Sequence, residues 1–342
     1  MFKIIKALNL VLVVLVLTWS GCNQPNKQPD VNGIKIDYSL NRFEKDFFAC
    51  KNSQDLITCR LKDTFLFDIY VNNIIGDISG GRNTEWDEKS SYLLKYILHP
   101  EIKDLYQECQ KKYGDFDAYS SELKKAFTFY KYYFPERNIP EIVTMVAPFR
   151  AFHPCSEHFL GISLDMYLGA DFSPYYSPDL EFPQYQINKM KSDFMVSNAI
   201  KAWLLSEFDE PQTGSKFLDY IMYHGKITYA LDVLLPQVQD SLKMGYIAGQ
   251  IEFCKNQEYQ IWDNIISNKL LYSSDLYAFR GYLGDGPFSS GPGVPKESPP
   301  KIGEYIGWKI VKAYMKKKPE TDLETLFKLP AQTILDVSKY KP

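Results

Sequence analysis

Apolar and charged residues alternate along much of the chain with the period of an α-helix. Ser91–Leu98 and Ala118–Tyr133 place apolar side chains at intervals of three or four residues, a spacing that puts them on one helical face. Residues 41–135 are therefore predicted to be mainly helical. Two apolar runs with β-branched residues, Ile142–Ala147 and Phe159–Asp165, interrupt this pattern and predict two strands.

Helical periodicity returns after the strands. Three long helices are predicted over Lys189–Phe208, Gly214–Leu235 and Leu242–Leu271. Residues 280–301 are rich in glycine and proline and form a loop far longer than the usual connection of roughly 4 to 6 residues. A last helix is expected over Gly303–Lys317. This order of elements predicts an α+β fold that is mostly helical and has a small sheet.

The first residues have the layout of a secretory signal. Two lysines precede the apolar run Ala7–Thr18, which is shorter than the roughly 20 residues that a membrane-spanning helix needs. Ser20-Gly21-Cys22 resembles the lipobox of bacterial lipoproteins, in which the cysteine is acylated. We predict a signal peptide over residues 1–21 and a stable membrane anchor at Cys22, because acyl chains bury many methylene groups in the bilayer.

The chain after this cysteine is predicted to form a tether and one folded domain. Residues 22–33 are polar and contain two prolines, a composition that buries little apolar surface. Residues 34–342 show no internal repeat and no second composition boundary, so we expect them to fold as a single domain. We favour a periplasm-facing position in the cell envelope, since few acidic residues follow Cys22, and the choice between inner and outer membrane stays open.

Composition and charge exclude several classes of protein. Of 342 residues, 45% are hydrophobic and 24% are charged, which is typical of a globular protein and excludes a disordered chain. Lysine and arginine number 39 against 42 acidic residues, giving a net charge of −3. This balance argues against a nucleic-acid partner.

Assigning Cys22 to lipid leaves five cysteines, which cannot all pair. Cys50 and Cys59 bracket a short polar segment and are candidates for a disulfide in an oxidising compartment. The alternative is five small buried side chains. The pairing among Cys50, Cys59, Cys109, Cys155 and Cys254 stays open.

The sequence lacks the common catalytic motifs. It contains no HExxH, GxSxG, Walker or dinucleotide-binding motif and only four histidines. His153 and His158 are spaced wrongly for one helical face, so a role in loop hydrogen bonding is favoured over metal binding. His224 lies in an otherwise apolar helix, and a satisfied core histidine is the preferred interpretation. An active hydrolase that pairs His224 with Glu207 or Glu258 is the alternative.

Aromatic residues are abundant, with 25 Tyr and 22 Phe. Tyrosine faces stack on sugar rings, so Tyr175, Tyr176 and Tyr185, with the loop 280–301, are candidates to line a glycan-binding groove. Ordinary packing of these side chains is the preferred interpretation.

Several stretches resemble the gliding-motility lipoprotein GldB family of Bacteroidota, and the resemblance covers nearly the whole chain. The stretches are Asp219–Lys226 leading to Leu234–Pro236, Asn256–Glu258 with Ile261-Trp262, and Pro300–Gly303 leading to Ile306–Tyr314.

The GldB family in turn resembles zinc peptidases of the gluzincin type, which carry HExxH on one helix and a ligand Glu before Gly on the next. This resemblance implies a zincin-like architecture. On that register Asn198, Ala199 and Ala202 occupy the positions of the motif's His, Glu and His, and His224 stands in the position of the ligand Glu before Gly225. The expectation is a degenerate groove with no metal and no catalytic residue, since zinc would lack ligands and a base.

The resemblance implies a lipid-anchored, noncatalytic component of the gliding or associated secretion machinery. Its expected partners are the membrane, through the anchor, and other proteins of that machinery. A peptide or a glycan is a possible ligand of the groove, and no cofactor is expected.

Overall fold

The computed structural model describes residues 28–76 and 84–342. The predicted signal peptide and Cys22 lie outside these residues. The contacts divide the chain between Gly33 and Ile34, and Ile34–Pro342 is one compact unit. All strands and helices of the described residues belong to this unit.

Three strands and sixteen α-helices lie within the residues that the structure describes. The strands are β1 (Leu40–Asn41), β2 (Glu141–Met145) and β3 (Phe159–Ser163). Six helices lie between β1 and β2. They are α1 (Phe43–Phe48), α2 (Ser53–Lys62), α3 (Thr64–Ile69, continued by a π-helical turn over Tyr70–Ile74), α4 (Trp86–Leu98), α5 (Pro100–Tyr113) and α6 (Asp117–Tyr133). The later helices are α7 (Gln184–Ile187), α8 (Ser192–Glu207), α9 (Phe217–Leu234), α10 (Asp240–Met244), α11 (Gln250–Asn256), α12 (Glu258–Ser267), α13 (Leu276–Leu283), α14 (Ile302–Lys317), α15 (Leu323–Lys328) and α16 (Ala331–Ser338).

The sheet is parallel, with the order β1-β2-β3. Ile142 of β2 pairs with Leu40 on one side and with Leu160 on the other. All five residues of β3 are buried, which agrees with the near-continuous apolar character of strands covered on both faces. The two predicted strands are confirmed, and β1 adds a short third strand that the sequence pattern did not indicate.

A buried carboxylate holds the chain at the end of the sheet. Asp165 follows β3 and accepts hydrogen bonds from the backbone N–H groups of Ala147 at 2.8 Å and Phe149 at 2.7 Å. Phe149 has a positive φ of 61°, so these bonds fix a backbone shape that a bulky residue rarely adopts. Burial raises the pKa of Asp165 to about 6, against the lowering effect of the two bonds.

The predicted helices α8, α9 and α14 are confirmed within a few residues, as are α4 and α6. The prediction of one helix over Leu242–Leu271 is wrong, because the segment forms α10, α11 and α12. Gly245 and Gly249 adopt φ values of 69° and 85°, which end one helix and precede the next. The chain also continues past α14 into two short helices, α15 and α16, although Gly303–Lys317 was expected to be the last helix.

Helices α9 and α14 cross at a contact between two glycines. A Cβ atom added to Gly225 would lie 2.3 Å from the carbonyl carbon of Gly307, and one added to Gly307 would lie 1.7 Å from the carbonyl oxygen of Ile221. Only glycine permits backbones to approach so closely. Helix α9 is buried around most of its circumference, as expected of a helix that is apolar on all sides.

None of the helices in the described part of the chain is long and apolar enough to cross a membrane.

Candidate functional site

A cluster of charged and polar side chains lies where α8, α9 and α14 meet. Lys201 of α8 donates to Glu304 Oε1 of α14 at 2.5 Å, and Thr228 of α9 donates to the same oxygen at 2.6 Å. The Glu304 side chain is only 3% exposed and that of Lys201 is 15% exposed. A buried ion pair therefore joins α8 to α14, and α9 adds a hydroxyl donor to its carboxylate.

The surrounding charges keep Glu304 ionised. Burial alone would raise its pKa, but attraction to Lys201 and Lys301 lowers the pKa to about 2. Burial lowers the pKa of Lys201, and attraction to Glu304 opposes that shift. Removing one partner of such a pair would leave an uncompensated charge in the interior, which is strongly unfavourable.

Two further lysines and one aspartate lie beside this pair. Lys189 donates to Asp285 Oδ1 at 2.8 Å, and Lys301 Nζ lies 3.6 Å from the same oxygen. Half of the Asp285 side chain is exposed, while both lysine side chains are mostly buried. The charged cluster therefore extends from the interior to the surface.

His224 of α9 adjoins the same charges. Burial lowers the pKa of its imidazole, and the charges of Glu304 and Lys201 act on it in opposite directions. Its Nδ1 atom is buried and has no hydrogen-bond partner among the described residues. The side chain is therefore predicted to be neutral at physiological pH.

The other predicted groove residues have different surroundings in the structure. Asn198 Nδ2 donates to the hydroxyl of Tyr167 at 3.1 Å, and that hydroxyl lies 2.6 Å from His153 Nε2. Ala199 is buried in the core, and Ala202 is half-buried. The helix crossing described above leaves no room for a side chain at Gly225. Packing of α9 against α14 therefore explains why this residue is glycine.

These residues do not fit a zinc ion. On the register that the resemblance to gluzincins implies, an amide and two methyl groups stand where that pattern has two imidazoles and a general base. Of the two carboxylates that act on His224, Glu304 has the larger effect, and it already accepts from an ammonium and a hydroxyl. Across residues 28–76 and 84–342 there is no group of three or more His, Cys, Asp or Glu side chains placed to hold a metal.

The carboxylates proposed for an unconventional hydrolase bind elsewhere. Glu207 Oε2 accepts from Arg137 Nη1 at 2.9 Å. Glu258 accepts from the hydroxyl groups of Tyr305 and Tyr340, both at 2.8 Å. These contacts give both glutamates a structural role.

The candidate glycan-stacking tyrosines do not form one exposed set. Tyr175 is fully buried, and its hydroxyl donates to the carbonyl of Asp165 at 2.5 Å. Tyr176 is 51% exposed, whereas Tyr185 is half-buried beneath Lys189. The first of these rings therefore has no free face to stack on a sugar.

Sequence reasoning missed Lys201, Thr228 and Glu304. The sequence did contain a signal for two of these residues. Lys201 and Glu304 are isolated charges in helices whose neighbouring residues are largely apolar. A charge in such a position requires a partner. Their separation of 103 residues gave no indication that they were each other's partner.

Comparison with known proteins identifies one family. The model of the family described as "Gliding motility protein GldB" matches residues 24–342. No curated protein and no solved structure matches the chain.

Proposed function

The chain belongs to the gliding motility protein GldB family, and from that premise we propose that it is a lipid-anchored, noncatalytic component of the gliding or associated secretion machinery. In this proposal Cys22 carries the anchor, and the domain faces the periplasm. The helices α8, α9 and α14 form a degenerate, zincin-like groove that binds a protein or peptide partner.

The observation that carries the noncatalytic role is the state of Glu304. A general base must be free to accept a proton at the working pH. Glu304 is instead engaged by Lys201 and Thr228, with its pKa lowered to about 2. The position of the motif's glutamate is taken by the methyl group of Ala199. These features support a binding site in place of a catalytic one.

Peptide hydrolysis tests this proposal directly. Purified wild type, His224→Ala and His158→Ala are compared with added zinc and with a chelator. His158 is the matched control, because it is an exposed histidine away from the charged cluster. We expect no hydrolysis above background in any sample. Zinc-dependent turnover that is lost in His224→Ala and kept in His158→Ala would refute the noncatalytic role.

Photocrosslinking in intact cells tests the partner site. A photoreactive amino acid replaces Ala202 at the proposed groove or, as the control, Leu61, which is 74% exposed on α2. We expect adducts with other envelope proteins from position 202 and none shared with position 61. Equal adducts from both positions would contradict a partner site at the groove.

Fractionation of cells tests the anchor. Cys22→Ala is expected to move the protein from the membrane fraction to the soluble fraction, because the acyl chains are its predicted attachment to the bilayer. Cys155→Ala is the control and should stay with the membranes. Retention of Cys22→Ala in the membrane fraction would refute lipid anchoring at this residue.

A further inference from the structure

Two cysteines face one shared cavity near the start of the domain. Cys50 follows α1, and Cys59 lies in α2. Both line a cavity of about 360 Å³, together with Asp46 and Lys62. The two cysteines are otherwise buried, with 5% and 6% of their surface exposed. The cavity therefore gives small reagents access to both thiols.

The two thiols are close enough for each to change the pKa of the other. Cys50 Sγ also donates to the carbonyl oxygen of Asp46 at 3.4 Å. Both side chains also line the same cavity. A disulfide between them requires Cβ atoms about 3.5–4.5 Å apart.

We propose that Cys50 and Cys59 form a disulfide by exchange with a disulfide compound, and that this bond ties the end of α1 to α2. The proposal is independent of the function proposed above. It resolves one of the pairings that sequence spacing left open.

The exchange balances in two steps. The Cys50 thiolate attacks one sulfur of the oxidant RSSR, which forms a mixed disulfide and releases RS⁻. Cys59 gives its proton to RS⁻, and its thiolate then attacks the Cys50 sulfur and releases the second RS⁻. That thiolate takes up the proton that Cys50 lost at the start. The two cysteines are oxidised by two electrons, and RSSR is reduced to two RSH.

The surroundings of the two thiols differ. The hydrogen bond from Cys59 lowers the pKa of Cys50, whereas the same bond and burial raise the pKa of Cys59. These directions support an order, tested below, in which Cys50 attacks first and Cys59 completes the bond. Asp46 raises the pKa of both thiols and Asp55 that of Cys50, while Lys62 Nζ, 2.8 Å from Asp46 Oδ2, lowers the pKa of both.

Of the three other described cysteines, Cys155 is partly exposed, and the remaining two are buried in other surroundings. Cys109 is fully buried, and burial raises its pKa. Cys254 is also fully buried, and its thiol donates to the hydroxyl of Tyr246 at 3.7 Å. These two cysteines serve as internal controls.

Peptide mapping of the full chain tests the proposal. The reduced protein is equilibrated with excess glutathione disulfide, denatured, alkylated with a maleimide and digested for mass spectrometry. We expect a Cys50–Cys59 linked peptide, while Cys109 and Cys254 carry the label. Unlinked Cys50 and Cys59 at equilibrium, whether alkylated or held as glutathione adducts, would overturn the proposal.

Variants then assign the order of attack. Cys59→Ser is expected to accumulate glutathione on Cys50, because the mixed disulfide cannot be resolved. Cys50→Ser should leave Cys59 largely unmodified, and Cys109→Ser should form the linked peptide as the wild type does. Rapid glutathione addition to Cys59 in Cys50→Ser would overturn the assigned order. The wild-type peptide map decides the existence of the bond even if a variant folds poorly.

Discussion

The close crossing of α9 and α14 makes Gly307 a position where a single methyl group should be strongly destabilising. In Gly307→Ala the new Cβ would lie 1.7 Å from the carbonyl oxygen of Ile221, whereas ordinary contacts begin at 3.4 Å. The two backbones must therefore separate locally by about 1.7 Å, the difference between these distances. Neither backbone can yield in the way that the end of a flexible side chain can.

Two effects of opposite sign determine the magnitude. Alanine is a better helix former than glycine, which contributes about 1 kcal/mol in favour of the variant. Separating two buried helices loses dispersion contacts along the whole crossing, since a gap of 0.5–1 Å already forfeits about a quarter to a half of each contact energy. Overpacking of cores typically costs about 1–3 kcal/mol and sometimes more. We expect Gly307→Ala to lower the free energy of unfolding by about 3–5 kcal/mol. Losses of this size have a specific structural cause, which here is overpacking at the helix crossing.

Urea unfolding followed by circular dichroism measures this loss. Gly286→Ala is the control, because its Cβ would meet nothing closer than 3.7 Å, and it should change the free energy of unfolding by less than about 0.5 kcal/mol. A Gly307→Ala variant that is as stable as the wild type would refute the reasoning, since the helices would then not be in contact at this residue.

Three further predictions concern buried polar groups, and all use the same unfolding assay. Lys201→Met and Glu304→Gln should each lower the free energy of unfolding by about 3–5 kcal/mol. The double variant should lose less than the sum of the two single losses. Additive losses would contradict a direct pair. The folded pKa of Asp165 is about 6, above its usual value. Between about pH 4 and 6 the native state therefore binds more protons than the unfolded chain. The free energy of unfolding should fall as the pH rises through this window. Asp165→Asn should remove that contribution, and an unchanged pH profile would refute it. Tyr175→Phe should cost about 1–3 kcal/mol, because the Leu168 N–H and the Asp165 carbonyl lose their hydroxyl partner; a neutral result would contradict this role.

The apolar periodicity of the sequence was sufficient to predict the long helices of this fold. The segments that form α8, α9 and α14 have strong apolar periodicity and clear ends, so their existence can be inferred from the sequence. The failure at Leu242–Leu271 has a local cause, since apolar spacing continues through the segment while Gly245 and Gly249 turn the backbone into the left-handed region. Periodicity reports which residues are buried and does not report a change of chain direction between them.

The candidate site was predictable only in part. The resemblance to gluzincins drew attention to α8 and α9 and to His224, and the structure brings these together with α14. The partner of Lys201 is Glu304, whose charge also acts on His224 and which lies on a helix about a hundred residues further along the chain. Pairing at this range depends on how helices cross, and crossing angles are set by packing of whole surfaces.

The glycine contact and the ion pair are consequences of the same crossing. Thr228 lies one turn after Gly225, and Glu304 lies one turn before Gly307, so the close approach of the backbones brings the Thr228 hydroxyl and the Glu304 carboxylate within 2.6 Å of each other. That approach also excludes water from Glu304, which is why the carboxylate needs Lys201 to balance its charge. Helices separated by Gly307→Ala would readmit water to this carboxylate. Glu304→Gln should therefore cost less in the Gly307→Ala background than in the wild type, and an equal cost in both backgrounds would show that the two features are independent.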